Sequence, residues 1–411
     1  MKKNTYSFMA LIALVIIFSI SNSCKTSSEK VEDEKAENLS FESRQIADTV
    51  RFLWARCIAD VTGDGIKDVV FSENNAYGGV LGYYEGKKDS GLWEMTLIND
   101  EVRDEMVFAS GDIECADIDF DGDIDVVAAR HPGEWKDAGA PSQLYWYENP
   151  GWTEHYIGEA PDFVKDMNLA DFNNDKKMDL AIITFEESSL KVFKQTEKEN
   201  WSEVMSLMNY KNIHEGMDVG DVDGDGLIDI VADGYIFYNP GGDLKGEWKD
   251  ENLDEKWNNQ EGDWSRNATK VFVNDVNNDG KSEIFMSHSE REGYPVSYYQ
   301  KLEDNWNEVI IKDSLTACHT LQVFDFDLDG DSDVLAGMNK GRAAGIGYDE
   351  YEVFIFLSEN DYAEWKPVLL DENGIYNGQV EDYDGDGDYD IFRYYSHDGS
   401  EFYLMENKLR D

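Results

Sequence analysis

The chain has 411 residues with a formal net charge of −51, a hydrophobic fraction of 41% and an aromatic fraction of 13%. That apolar content excludes a disordered chain. The charge excludes binding to nucleic acid through the general field, because such a surface repels phosphate.

The first elements are targeting signals. Lys2 and Lys3 precede an apolar run from Phe8 to Ile20 that is short for a membrane span. Ser21-Asn-Ser-Cys24 follows and resembles a bacterial lipoprotein signal, with Ser21 where such signals carry an aliphatic residue. The resemblance implies export, lipidation at Cys24 and attachment to a bacterial membrane through that lipid; the alternative is an ordinary signal peptide with an incidental cysteine. Residues 1–24 read as the signal, 25–39 as a polar flexible tether and 40–411 as one folded body. Cys57, Cys115 and Cys318 fall in apolar stretches and read as buried free thiols.

The body is a repeat of about 54 residues. One nonapeptide recurs seven times, and its first Asp returns at intervals of 57, 54, 50, 54, 50 and 57 residues. Positions 1, 3, 5 and 9 are Asp60, Thr62, Asp64 and Asp68 in the first copy, then Asp117, Asp119, Asp121 and Asp125. The third copy has Asp171, Asn173, Asp175 and Asp179, and the fourth Asp221, Asp223, Asp225 and Asp229. The fifth has Asp275, Asn277, Asp279 and Glu283, the sixth Asp325, Asp327, Asp329 and Asp333, and the seventh Asp382, Asp384, Asp386 and Asp390. Position 6 is Gly except at Lys176.

Each copy lies between two apolar runs, and an aromatic segment such as Tyr145-Trp-Tyr147 follows. A Trp then opens a last alternating run at Trp93, Trp152, Trp201, Trp248, Trp306 and Trp365. Four strand-like segments per repeat, seven times, predict an all-β, seven-bladed β-propeller. The seventh repeat lacks its Trp strand, so Ser40 to Ala47 is expected to close the ring.

Alternating carboxylates around a glycine turn make a cage for a hard cation, which takes six to eight oxygen ligands. An EF-hand is excluded: its position 12 is Glu, whereas here it is Phe71, Ala128, Ile182, Ala232, Met286, Ala336 and Arg393. The loops resemble the FG-GAP/VCBS repeat family over residues 40–411. The resemblance implies a calcium-binding loop in every blade, up to seven structural Ca²⁺. Thr62 and Lys176 mark the first and third loops as the weaker ones.

If the loops join strands one and two at one face, residues flanking those strands gather at the opposite, top face. His214 and His319 begin strand one of their repeats, while His131, His288 and His397 follow strand two. Arg130, Glu134, Trp135, Arg291, Lys340, Arg342, Arg393, Tyr394 and Tyr395 follow strand two as well; Arg51, Trp54, Arg266 and Tyr376 lie near strand one. Such a mouth suits an acidic oligo- or polysaccharide, with rings stacked on aromatics and a carboxylate gripped by Arg.

The expected chemistry is β-elimination from a uronate by a lyase or sugar dehydratase. His214 and His319 are the acid–base pair, His131 and His288 orient substrate, and Arg291, Arg342 or Arg393 is the clamp. The architecture is similar to propeller polysaccharide lyases and aldos-2-ulose dehydratase. A hydrolase is disfavoured, because no pair of top-face carboxylates stands out. The alternative is a non-catalytic, calcium-dependent glycan- or protein-binding propeller. The protein is expected to be monomeric.

Overall fold

The computed structural model describes residues 39–74, 79–133, 140–258, 260–303, 305–360 and 362–410. Cys24, Glu134 and Trp135 lie outside the described residues. Seven separate antiparallel sheets are arranged in chain order around a central channel. Their inner strands are Ala55–Ala59, Glu114–Ala116, Val164–Ala170, Met217–Gly220, Thr269–Asn274, Cys318–Phe324 and Gln379–Glu381. Six sheets have four strands; the second has five, because Val107–Phe108 also pairs with its second strand.

Burial explains the sequence pattern. Second strands such as Asp125–His131, Asp179–Thr184 and Asp333–Met338 are buried at every position. Each is packed between two neighbouring blades, so both faces must be apolar. Outer strands such as Asn305–Lys312 stay half-exposed and carry charge. Among the described residues the core is seven wedges, each filling the gap between two blades, with a small eighth cluster of Val107, Ala109, Phe163 and Phe185. One holds Ile118, Trp146, Met167 and Ile182 between blades two and three. Another holds Phe285, Tyr298, Val323 and Phe354 between blades five and six.

The ring closes as expected. Phe41–Ala47 pairs antiparallel with Phe402–Asn407, from Phe41 opposite Asn407 to Ala47 opposite Phe402. The thiol reading is corrected. Cys57 and Cys115 form a disulfide with Cα atoms 6.3 Å apart, and Cys318 is free and buried. The two half-cystines are 58 residues apart in the chain. They meet because the inner strands of blades one and two are neighbours in the channel wall.

The seven loops share one conformation. Positions 4 and 6 have positive φ in every copy, including Phe120 (62°), Leu328 (60°) and Lys176 (70°). Lys176 thus adopts the left-handed backbone that glycine provides elsewhere, at a cost of about 1 kcal/mol. The position 9 acid sits inside the blade. Asp229 accepts the main-chain N–H of Val222 at 3.2 Å and of Asn239 at 2.8 Å; Asp390 accepts those of Tyr383 at 3.1 Å and Asn407 at 2.9 Å. This carboxylate therefore staples the loop to the end of the third strand, a role that spacing alone does not reveal.

Candidate functional site

The top face carries a cavity of about 310 Å³. Trp54, Phe163, Phe185 and Trp264 form apolar walls, and Lys165, Glu215, Glu290, His319 and Tyr376 supply the polar groups. Arg342, on the short helix Lys340–Ile346, and His397 also line it. Lys165 and His319 stand on inner strands, Glu215 and Tyr376 just before inner strands, and Glu290 just after a second strand. Below lies the channel, about 420 Å³, lined by inner strands; Trp54 and His319 border both spaces.

His319 is held on both sides. Its Nδ1 lies 2.8 Å from Asn377 Oδ1, and Asn377 Nδ2 donates to the Trp54 carbonyl at 3.1 Å. Its Nε2 lies 3.3 Å from Glu215 Oε1 and 3.4 Å from Glu290 Oε1. The ring rests 4.4 Å from that of Tyr376. Glu215 Oε2 pairs with Lys165 at 3.2 Å, and Glu290 Oε2 pairs with Arg342 Nε at 3.2 Å. Ser289 Oγ donates to Glu215 Oε1 at 3.2 Å, and Lys270 Nζ lies 3.7 Å from it.

Burial alone would raise the Glu215 carboxyl, but neighbouring positive charge, Lys165 foremost, outweighs it and holds that group well below the usual carboxylate range. Burial pushes the Tyr376 phenol up, so it remains a proton donor.

The predicted site residues divide sharply. His319 and Arg342 reach the cavity. His214 is buried behind the wall, with Nδ1 2.8 Å from the Phe185 carbonyl and burial lowering its pKa. His131 is fully buried against Phe163, its Nδ1 3.0 Å from the Gly133 carbonyl. His288 Nε2 lies 3.1 Å from Gln260 Oε1, its Nδ1 accepts the Glu290 N–H at 3.2 Å, and burial lowers its pKa to about 4. It holds the Glu290 backbone and is not at the cavity surface.

Two of the arginine assignments also change. Arg393 is buried in an ion pair with Asp371 and bonds to the Gly374 carbonyl, so it braces blade seven and cannot clamp a ligand. Arg291 contacts Ser265 Oγ and the Glu261 carbonyl outside the cavity.

The premise that no carboxylate pair stands out is overturned, because Glu215 and Glu290 converge on one histidine nitrogen. Reasoning from His and Arg overlooked them, although Glu215 adjoins His214 and Glu290 lies within His288-Ser-Glu290-Arg291. Burial does not single them out, since Asp162, Asp233 and the position 9 acids are buried too; what sets these two apart is that they meet at one histidine.

Several acidic loops at the opposite face could hold a metal ion. Three carboxylate oxygens lie within 4.8 Å of one another in Asp117/Asp119/Asp125, Asp221/Asp223/Asp225, Asp325/Asp327/Asp333 and Asp382/Asp384/Asp386. The first, third and fifth loops form no such carboxylate group among the described residues, and these are the loops with Thr62, Asn173 and Asn277 at position 3. In the third loop Lys177 and Lys194 also lie 3.9 and 3.7 Å from Asp175.

A family model described as FG-GAP-like repeat matches residues 117–182 and 171–232. A search of curated proteins finds no match to the sequence. Among solved structures, the chain is similar to BBS1N in complex with ARL6DN, at 11% identity and TM-score 0.54, over 90% of this chain and 97% of that one. It is similar to the rhamnogalacturonan lyase YesW at 13% identity and TM-score 0.50, over 89% of this chain and 75% of that one. An Agrocybe aegerita lectin recognising non-reducing terminal N-acetylglucosamine matches at 15% identity and TM-score 0.49, over 82% of this chain and 90% of that one. At such identities a likeness establishes fold and nothing more. Taken with the seven closed blades, the family match makes the chain a seven-bladed β-propeller that carries FG-GAP-like repeats over residues 117–232.

Proposed function

We propose that this is an exported, lipid-anchored carbohydrate-active propeller whose top cavity takes a uronate-bearing sugar, and that it acts as a carbon–oxygen lyase by β-elimination. The observation that carries this reading is the convergence of buried acid, base and cation groups beneath aromatic walls in one cavity. Apolar walls with a few fixed polar groups suit a sugar ring, whose faces are apolar and whose rim is polar.

Elimination needs a base for the proton α to the carboxylate, a positive partner for that carboxylate and an acid for the leaving oxygen. Tyr376 and His397 are the cavity's proton-transfer groups, Lys165 and Arg342 its fixed cations, and His319 stands between the two carboxylates. A panel of uronate-containing glycans, followed by the ultraviolet absorbance of the unsaturated product, tests the reading. Tyr376→Phe removes one hydroxyl and is expected to lower turnover by roughly 10²–10⁴-fold. A wild-type protein that binds these glycans without forming an unsaturated or dehydrated product would replace the enzyme reading with a binding module.

In this reading the four carboxylate-rich loops hold calcium, and the other three hold it more weakly. Oxygen-only donors around a left-handed turn are what a hard cation requires. Export rests on the amino-terminal signal. Cys24→Ala is expected to move the protein from the membrane to the soluble fraction or to block its maturation, because the acylated cysteine is the anchor. An unchanged membrane fraction would refute the anchor.

A further inference from the structure

We infer that Glu215, Glu290 and His319 form a centre for one divalent transition metal, separate from the acidic loops, with an open position that takes the substrate carboxylate. The metal half stands on the geometry alone; the carboxylate half rests on the function proposed above.

The first argument concerns which atoms are engaged. Each of the three side chains has its outer atom bonded and its inner atom in a shared cluster, where Glu215 Oε1 also accepts the Ser289 hydroxyl. His319 Nδ1 is held by Asn377, Glu215 Oε2 by Lys165 and Glu290 Oε2 by Arg342. The inner atoms, Nε2 and two Oε1, all lie within 4.8 Å of one another. Metal-bound histidines donate their other ring N–H to a fixed acceptor in this way.

The second argument is the histidine's orientation. Asn377 donates its amide N–H to the Trp54 carbonyl, so its Oδ1 faces His319 as an acceptor and Nδ1 carries the hydrogen. Nε2 then presents its lone pair to two carboxylate oxygens. Nothing within that trio donates to another member: the Ser289 hydroxyl reaches Glu215 Oε1 from outside and Lys270 Nζ stays 3.7 Å from it, so the three electron-pair donors face one another, as ligands of a shared cation do.

The third is spacing. Nε2 stands 3.3 and 3.4 Å from the two oxygens, longer than the roughly 2.7–2.9 Å of a charge-assisted hydrogen bond. Two ligands about 2.1 Å from a tetrahedral metal are about 3.4 Å apart. One nitrogen and two oxygens are a borderline donor set, suited to Zn²⁺ or Mn²⁺ and unlike the all-oxygen loops. A dication here, with Lys165 and Arg342, exceeds the two carboxylates in charge. A buried surplus of that kind calls for an anion at the open position, on the side lined by Trp54 and Trp264.

Cobalt reads this site without activity. The full-length protein is stripped with chelator, saturated with Ca²⁺ to fill the loops, and given one equivalent of Co²⁺. The expected result is a visible absorption band from a low-symmetry site with a nitrogen ligand, abolished by Zn²⁺. The band is expected to vanish in His319→Ala while calcium-dependent melting is retained. Asn377→Ala should weaken Co²⁺ binding by roughly 10–100-fold through loss of ring orientation. No band with wild type, and no Zn²⁺ retained after Ca²⁺ saturation, would mean that His319 carries a second proton instead, and would overturn the centre. Galacturonate should then shift the band. A band indifferent to galacturonate would sink the carboxylate half and leave the metal standing.

Discussion

Removing residues 40–47 is expected to cost the protein its cooperative fold. Blade seven supplies three of its own strands, and Phe41–Ala47 is the fourth. Ile46 is fully buried among Trp93, Phe392 and Leu404, so the strand seals the wedge between blades seven and one. The Ile46 carbonyl accepts the Trp93 N–H at 2.8 Å, and the Ser40 carbonyl accepts that of Lys408 at 2.9 Å. Arg44 joins Glu406 at 2.8 Å and the Lys87 carbonyl at 2.8 Å, tying both blades together.

Losing Ile46 alone costs about 1.5–3 kcal/mol. Opening the edge of Phe402–Asn407 and uncovering Phe392 bring the total to the order of 5 kcal/mol, comparable with the whole stability of many proteins. Near-ultraviolet circular dichroism during chemical unfolding measures this, with a chain beginning at residue 39 as control. A chain beginning at residue 48 that unfolds at the control's midpoint would show that blade seven closes by other means.

Chelation is expected to lower the melting temperature strongly, and added Ca²⁺ to restore it. Cations that bind only the folded loops stabilise by about 2.7 kcal/mol per site at a hundredfold excess over Kd. Four loops hold three carboxylate oxygens close together, so these four are expected to dominate the effect. One pair of variants separates the metal from the turn. Asp223 Oδ1 accepts the Asp225 N–H at 3.1 Å, and Asn173 Oδ1 accepts the Asp175 N–H at 2.9 Å. Alanine at either position removes the same backbone bond, but only Asp223→Ala removes a carboxylate from a group of three.

Differential scanning calorimetry with and without Ca²⁺ should therefore show a smaller calcium-dependent shift for Asp223→Ala and a nearly unchanged one for Asn173→Ala. Equal shifts in both variants, or none in the wild type, would refute calcium as the loops' occupant.

The number of blades and the strand order within each follow from local information, and the strand missing from the seventh repeat shows that the chain's start must complete it. A nine-residue loop with left-handed positions 4 and 6 has one conformation wherever it occurs, and an apolar run between two blades has no alternative burial. Those causes act within a repeat, so they can be read along the chain. Of the three loops without a group of three carboxylates, Thr62 and Lys176 mark the first and third in the sequence, while the fifth, with Asn277 at position 3, emerged only from the structure.

The site is different because it has no local cause. Lys165, Glu215, Glu290, His319 and Tyr376 come from five blades and become neighbours only when the ring closes. Repeat position places a residue near the top face but does not say whether its side chain faces the cavity or the next blade. Thus His131, His214 and His288 occupy top-face positions and still turn into packing, and burial lowers the pKa of His214 and His288. Arg393 likewise belongs to Asp371. Cys57 and Cys115 share this dependence, since adjacent inner strands bring two distant residues within reach of a disulfide. Composition and spacing determined the scaffold and its loops; closure of the ring decided which charges meet, because only the packed channel brings side chains from different blades together.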